Sequence, residues 1–277
     1  MWSVPRPELS VRAVYQSCIR NAHPKTKTRL AGLEDSVTDA ARRFEEAAVA
    51  AALHTLADLK DQPTDGTTRT ELTKNYTQRM VRRGTAGRAH YDQIKASAPL
   101  GRCPLCGHRL VETIDHQLPK QSYPLLAVVP TNLVPACRSC NTIKGEIVPV
   151  SAAEQTLHPY FDDLGDQQWL HARVHEVAPA VVQFLVDPPT QWDQVLADRV
   201  RRHFRIFQLA ELYGAQAAEE TAALRYYLRG KDASVLSAHL QETADSWFHV
   251  DRNHWKAAMY QALAKSDWYI NGGFEKV

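Results

Sequence analysis

Residues 103–107 read CPLCG and residues 137–141 read CRSCN. Each stretch holds two cysteines three positions apart, the spacing at which a tight turn points both thiolates at one ion, and four thiolates suit tetrahedral Zn²⁺. Gly107 fits the compact turn after a second ligand. The competing reading is two unrelated reduced pairs. A segment of about forty residues has little apolar core of its own, and a metal commonly substitutes for one at that size. A zinc joining Cys103 and Cys106 to Cys137 and Cys140 supplies on the order of 10 kcal/mol toward folding. With every position filled by sulfur, such an ion holds the fold together and does not catalyse.

Working outward, the 277-residue chain is long enough for one large domain or two to three small ones, with a substantial core. Its 33 Lys and Arg against 31 Asp and Glu leave a formal charge of +2, so global charge alone does not mark a nucleic-acid binder. The fifth cysteine, Cys18, makes the count odd, and MWSVPRPELSVRAVYQSC at the start carries no apolar core of signal-peptide length. No stretch approaches the roughly 18 apolar residues of a membrane helix. These features imply reduced thiols in a soluble, cytoplasmic protein with no membrane contact.

The coarse pattern is mainly helical. Residues 29–60 place Leu33, Val37, Ala40, Phe44, Ala47, Ala51 and Leu56 at helical spacing, and predict one long amphipathic helix ended by DQPTDGTT at 61–68. From Arg69 to Arg109 nine Lys and Arg, among them Arg82, Arg83 and Arg88, face only Glu71 and Asp92. That run is either a solvated helix face or a stripe that touches a phosphate backbone. Alternation in HARVHEV and AVVQFLV predicts a hairpin, and helices are expected near 192–213, 215–229, 232–246 and 251–266, with Gly214 as a stop. The expected organisation is a helical region over 1–95, a metal-bound α+β module over 96–150, and a hairpin plus helices over 151–277.

Between the cysteine pairs, RLVETIDH alternates as a strand does, while the prolines of QLPKQSYP end any ladder. In a regular strand Asp115 and His116 would point to opposite faces unless the chain bends. Asn141 follows the last cysteine at the start of a short helix, close to the zinc. A carboxylate and an amide oxygen with open positions for water and phosphate is how Mg²⁺ tends to be held.

In order, CPLCG, TIDHQLPK, NLVPACRSC and NTIKG resemble the HNH endonucleases, the ββα-metal nucleases, in the variant stapled by a four-cysteine zinc. The likeness spans residues 103–145. It implies that His116 is the general base, that Asp115 and Asn141 hold a catalytic divalent ion beside His116, and that Asn132 ties down the loop and orients the histidine. Asn141 stands where many members carry histidine, and an amide ligand favours Mg²⁺ or Mn²⁺ over a transition metal. Lys120 and Lys144 are candidates for flanking phosphates. The helical flanks and chain length further resemble nuclease subunits of Septu-type anti-phage systems, which implies DNA as substrate and an ATPase partner. The alternative is a zinc-stapled module that binds nucleic acid or a partner without catalysis. His158, His171, His175, His239, His249 and His254 show no metal-ligand spacing with a carboxylate, and RVRRHFR at 199–205 shares its helix with core positions.

Overall fold

Ser10 starts the first helix: its hydroxyl accepts from the Ala13 amide, and α1 (Val11–Ile19) then buries Val14, Tyr15, Cys18 and Ile19 on one face. The computed structural model describes residues 3–164, 166–177 and 179–275. The chain continues through α2 (Pro24–Ala31), α3 (Glu34–Val49), α4 (Gly66–Thr77) and α5 (Arg88–Ala96). In α3, Glu34 and Asp35 in the first turn suit the helix dipole, and Val37, Ala40, Ala41, Phe44, Ala47 and Ala48 form the buried stripe.

The single helix expected over 29–60 is instead two helices followed by a 3₁₀ segment, Leu53–Leu59. Gly32 closes α2. After α3 the chain reverses at Ala51, whose φ of 51° is left-handed. The Ala52 amide bonds to the Ala47 carbonyl at 2.7 Å and the Ala51 amide to that of Ala48 at 3.2 Å, the paired bonds of a Schellman motif. An alanine there is strained compared with glycine. The reversal brings Leu53, Leu56 and Leu59 back onto the core that Phe44 occupies.

Two short strands follow. β1 (Thr113–His116) and β2 (Leu133–Ala136) pair antiparallel, with Asp115 opposite Val134 and His116 opposite Leu133. Pro135 is tolerated because the ribbon has only two strands, so a missing donor can face outward. Cys137 then caps α6 (Arg138–Lys144), its sulfur accepting from the Cys140 amide, and Gly145 at φ 54° ends the helix. β1, β2 and α6 therefore run strand, strand, helix.

Chain segments from Leu164 onward form a second compact unit, and residues up to Asp163 form the first. This differs from the expected divisions near 95 and 150. One apolar cluster runs from Val14 through Phe44, Leu72, Met80 and Leu126 to Leu133, so the N-terminal helices and the cysteine module share a core. The tail past 150 is also anchored there: the Tyr160 hydroxyl donates to the Leu133 carbonyl at 2.8 Å, and the Val4 amide to that of Pro159.

In the second unit β3 (Leu170–His175) and β4 (Val181–Val186) form the expected hairpin. Helices α7 (Gln194–Ile206), α8 (Leu209–Leu228), α9 (Ala233–Val250), α10 (Trp255–Ala264) and α11 (Asp267–Ile270) follow, α10 packing on β3 and α8 on β4. The first break falls at Gln208, at φ 51°, and not at Gly214. Gly214 lies inside α8, where an added Cβ would sit 3.9 Å from the Val182 carbonyl oxygen of β4. Among the described residues no helix is long and apolar enough to cross a membrane. Mainly helical architecture with a small mixed module is thus as expected; its boundaries are not.

Candidate metal centre and catalytic cleft

The four cysteines converge. Cys103, Cys106, Cys137 and Cys140 are fully buried, none is disulfide-bonded, and their sulfur atoms all lie within 4.8 Å of one another. Local geometry explains why. The Gly107 amide bonds to the Cys103 carbonyl at 2.7 Å, with Gly107 left-handed at φ 62°, which closes the first turn. The second pair is presented by the first turn of α6. Buried thiols at this separation suit Zn–S bonds of about 2.3 Å, and the cluster can hold a zinc ion. Cys18 lies apart, buried among α1 core residues, where loss of solvent pushes its thiol up to about 12.

Next to this cluster the end of β1 opens onto a cleft of about 280 Å³ lined by Tyr76, Asp115, His116, Lys120, Asn141 and Glu146 among others. Asp115 and His116 are consecutive yet share it. The chain bends where β1 ends, and Asp115 Oδ1 accepts the backbone N–H of His116 at 2.7 Å.

His116 is held on both sides. Its Nε2 lies 2.9 Å from the Ala127 carbonyl oxygen, which can only accept, so Nε2 carries the proton and Nδ1 keeps the lone pair. The Tyr76 ring of α4 stands edge-on at 4.4 Å, and its hydroxyl donates to the Ile114 carbonyl at 2.9 Å. Burial, reinforced by the nearby Lys120 charge, pushes the imidazole down to about 3. The ring is therefore neutral at physiological pH.

Asn132 is fully buried and ties the loop between the strands. Its Oδ1 accepts from the Leu118 amide at 2.8 Å, and its Nδ2 donates to the carbonyls of Leu118 at 3.0 Å and Leu126 at 3.1 Å. Leu126 immediately precedes Ala127, so this amide sets the carbonyl that fixes His116. Asn132→Ala would strand the buried amide and carbonyl of Leu118 and leave the Leu126 carbonyl with only its bond from the Val129 amide. The expected result is a loss of about 2 kcal/mol or more in an equilibrium denaturant titration, with the m-value unchanged. A midpoint equal to wild type would remove Asn132 from this role.

Asn141 lies on α6 with Nδ2 3.4 Å from the Ile114 carbonyl and from Thr113 Oγ1. That orientation spends Nδ2 on the strand and leaves Oδ1 as the end suited to a cation. Asp115 is buried; burial raises its carboxyl, while Lys144 draws it back. A carboxylate and an amide oxygen on one cleft are donors of the hard type that Mg²⁺ or Mn²⁺ accepts.

The basic candidates divide. Lys120 lines the cleft, its ammonium 5.6 Å from the Tyr76 ring centre. Arg82 and Arg83 are exposed in the turn between α4 and α5. Arg88 is half-buried and committed to Asp92 at 2.8 Å and to the Val81 carbonyl. Lys144 is not the surface lysine expected to reach a flanking phosphate. It is 3% exposed, its ammonium 3.3 Å from Asp115 Oδ2 and donating to the His116 carbonyl. Sequence reasoning missed this pairing, and it missed Tyr76, which lies in a helix with no motif around it. Glu146, one residue past Gly145, was also not singled out.

Comparison with known proteins gives one point of reference. The chain is 30% identical over 225 residues to protein Ea31 of Escherichia phage lambda, an alignment that takes in 74% of this chain and 75% of that protein. No protein-family model matches the chain, and no solved structure matches it.

Proposed function

This chain belongs to the same family as the phage lambda protein Ea31, and we propose that it is a metal-dependent endonuclease of the HNH type that hydrolyses phosphodiester bonds in DNA. One observation carries the reading. His116, neutral and with Nδ1 free to accept a proton, opens on the same cleft as Asp115 and Asn141. A structural histidine has no need of a carboxylate and an amide from two other positions around it.

Phosphodiester hydrolysis needs an activated water, a neutralised phosphate and help for the departing oxygen. His116 Nδ1 takes the proton of the attacking water, and the Ala127 carbonyl keeps the ring in the tautomer that allows this. Tyr76 stops the ring from turning. Asp115 and Asn141 would hold the divalent ion, which supplies charge neutralisation at the phosphate and at the leaving 3′ oxygen. Lys120 meets the phosphate charge at the rim of the cleft. An anionic phosphate beside His116 raises its basicity from the depressed value of the free site. The cysteine cluster, in this scheme a zinc, fixes α6 against β1 and so fixes Asn141 against Asp115.

The test is direct. Full-length protein with Mg²⁺ or Mn²⁺ is expected to convert supercoiled plasmid to nicked and linear forms, leaving 5′ phosphate ends, and a chelator should stop it. Wild-type protein that leaves both DNA and RNA intact with either ion would remove the enzymatic reading.

A further inference from the structure

The cleft is formally neutral before any ligand enters. Among its charged lining groups are two carboxylates, Asp115 and Glu146, and one ammonium, Lys120; behind Asp115 stands a second, Lys144. Lys144 is not a mobile surface charge. It leaves the last turn of α6, is almost fully buried, and reaches both Asp115 Oδ2 and the His116 carbonyl. The other Asp115 oxygen is already engaged by the His116 amide. The carboxylate that would anchor a divalent ion therefore has a resident monovalent cation.

Sites that retain a divalent ion on their own set affinity largely by the number of charged ligands they offer. Here the one buried carboxylate is balanced by Lys144, and the second donor, Asn141, is neutral. A phosphodiester group entering the cleft adds the negative charge that is lacking. We infer that Lys144 is a positioning residue that cancels the charge of Asp115, so that the divalent ion and the nucleic-acid phosphate bind the cleft cooperatively and the ion alone binds weakly. This rests on the nuclease reading and goes beyond it, since it says in which state the cleft can be loaded. By linkage the coupling is reciprocal: the ion must tighten nucleic-acid binding by the same factor.

Mn²⁺ binding, followed by electron paramagnetic resonance of the free ion, tests this without relying on turnover. The protein is full-length, zinc-loaded His116→Ala, which cannot consume the probe, and the probe is a short duplex oligonucleotide at saturating concentration. The expected result is Mn²⁺ affinity at least about tenfold higher with the oligonucleotide than without it, the ordinary scale of coupling between two sites. Adding Lys144→Gln, which keeps a donor for the His116 carbonyl but removes the charge, should raise affinity for Mn²⁺ alone about tenfold and shrink the coupling. Asp115→Asn should abolish binding in both states, locating the ion. Equal Mn²⁺ affinity with and without oligonucleotide would overturn the inference, and so would a folded, zinc-retaining Lys144→Gln protein with unchanged affinity. If Lys144→Gln fails to fold, the comparison with and without oligonucleotide still decides. Failure of the nuclease reading looks different: no Mn²⁺ bound in either state, and no cleavage by wild type.

Discussion

Replacing His116 with alanine is expected to lower plasmid cleavage about a thousandfold, within the range that loss of a positioned general base produces. The protein should stay folded and retain a zinc at the four cysteines as wild type is expected to. The side chain's own hydrogen bond is to one carbonyl, Ala127, and the loop that carries it is tied independently by Asn132. A pH series adds a readout that a purely structural histidine would not give. Because burial holds the imidazole well below its ordinary 6.5, wild-type kcat/KM should stay level as the pH falls through that value. An exposed histidine acting as base would lose tenfold per unit there. The acid limb, when it comes, includes Asp115, whose carboxyl burial pushes the other way. Cleavage by His116→Ala at the wild-type rate would refute the assignment.

Cys137→Ser is expected to do something different: bound zinc falls from one ion per chain to none, and the first unit unfolds at or below ambient temperature. The sulfur does two jobs, as one of four converging thiols and as the cap of α6. Structural zinc supplies on the order of 10 kcal/mol in small modules, comparable to the whole stability of a domain. Metal analysis alongside circular dichroism measures both effects. Cys18→Ala is the control and should retain the ion, since Cys18 is outside the cluster. A Cys137→Ser protein that keeps its zinc and its melting curve would dissolve the staple. The proposed active-site half is less separable than the motif suggests. Asp115→Ala would leave the Lys144 ammonium buried without its carboxylate, and breaking such a pair typically costs about 3–5 kcal/mol. Asp115→Asn is the cleaner test of ion binding.

What could be read in advance was whatever depends on local spacing. The cysteine pairs, the hairpin of the second unit and the helical character of the flanks all follow from short-range periodicity and turn chemistry. Asp115, His116 and Asn141 reach one cleft because β1 pairs with β2 and α6 follows at once. What could not be read depends on contacts distant in sequence. Tyr76 meets His116 from a helix forty positions upstream, and nothing in TKNYTQ announces it. Lys144 reads as one more solvated lysine until the fold turns it inward. The break after α3 was hidden because alanine, not glycine, occupies the left-handed position. The ATPase partner has no residue of this chain attached to it; it came with the family resemblance alone.

The apolar cluster that runs unbroken from Val14 to Leu133 has a practical meaning for anyone who would borrow this motif. The cysteine-bearing stretch is no transplantable cassette. Cut free at residue 96, it would lay bare Ile114, Leu118, Leu126 and Val129, which the upstream helices now keep dry, and a graft or truncation would have to carry those helices along.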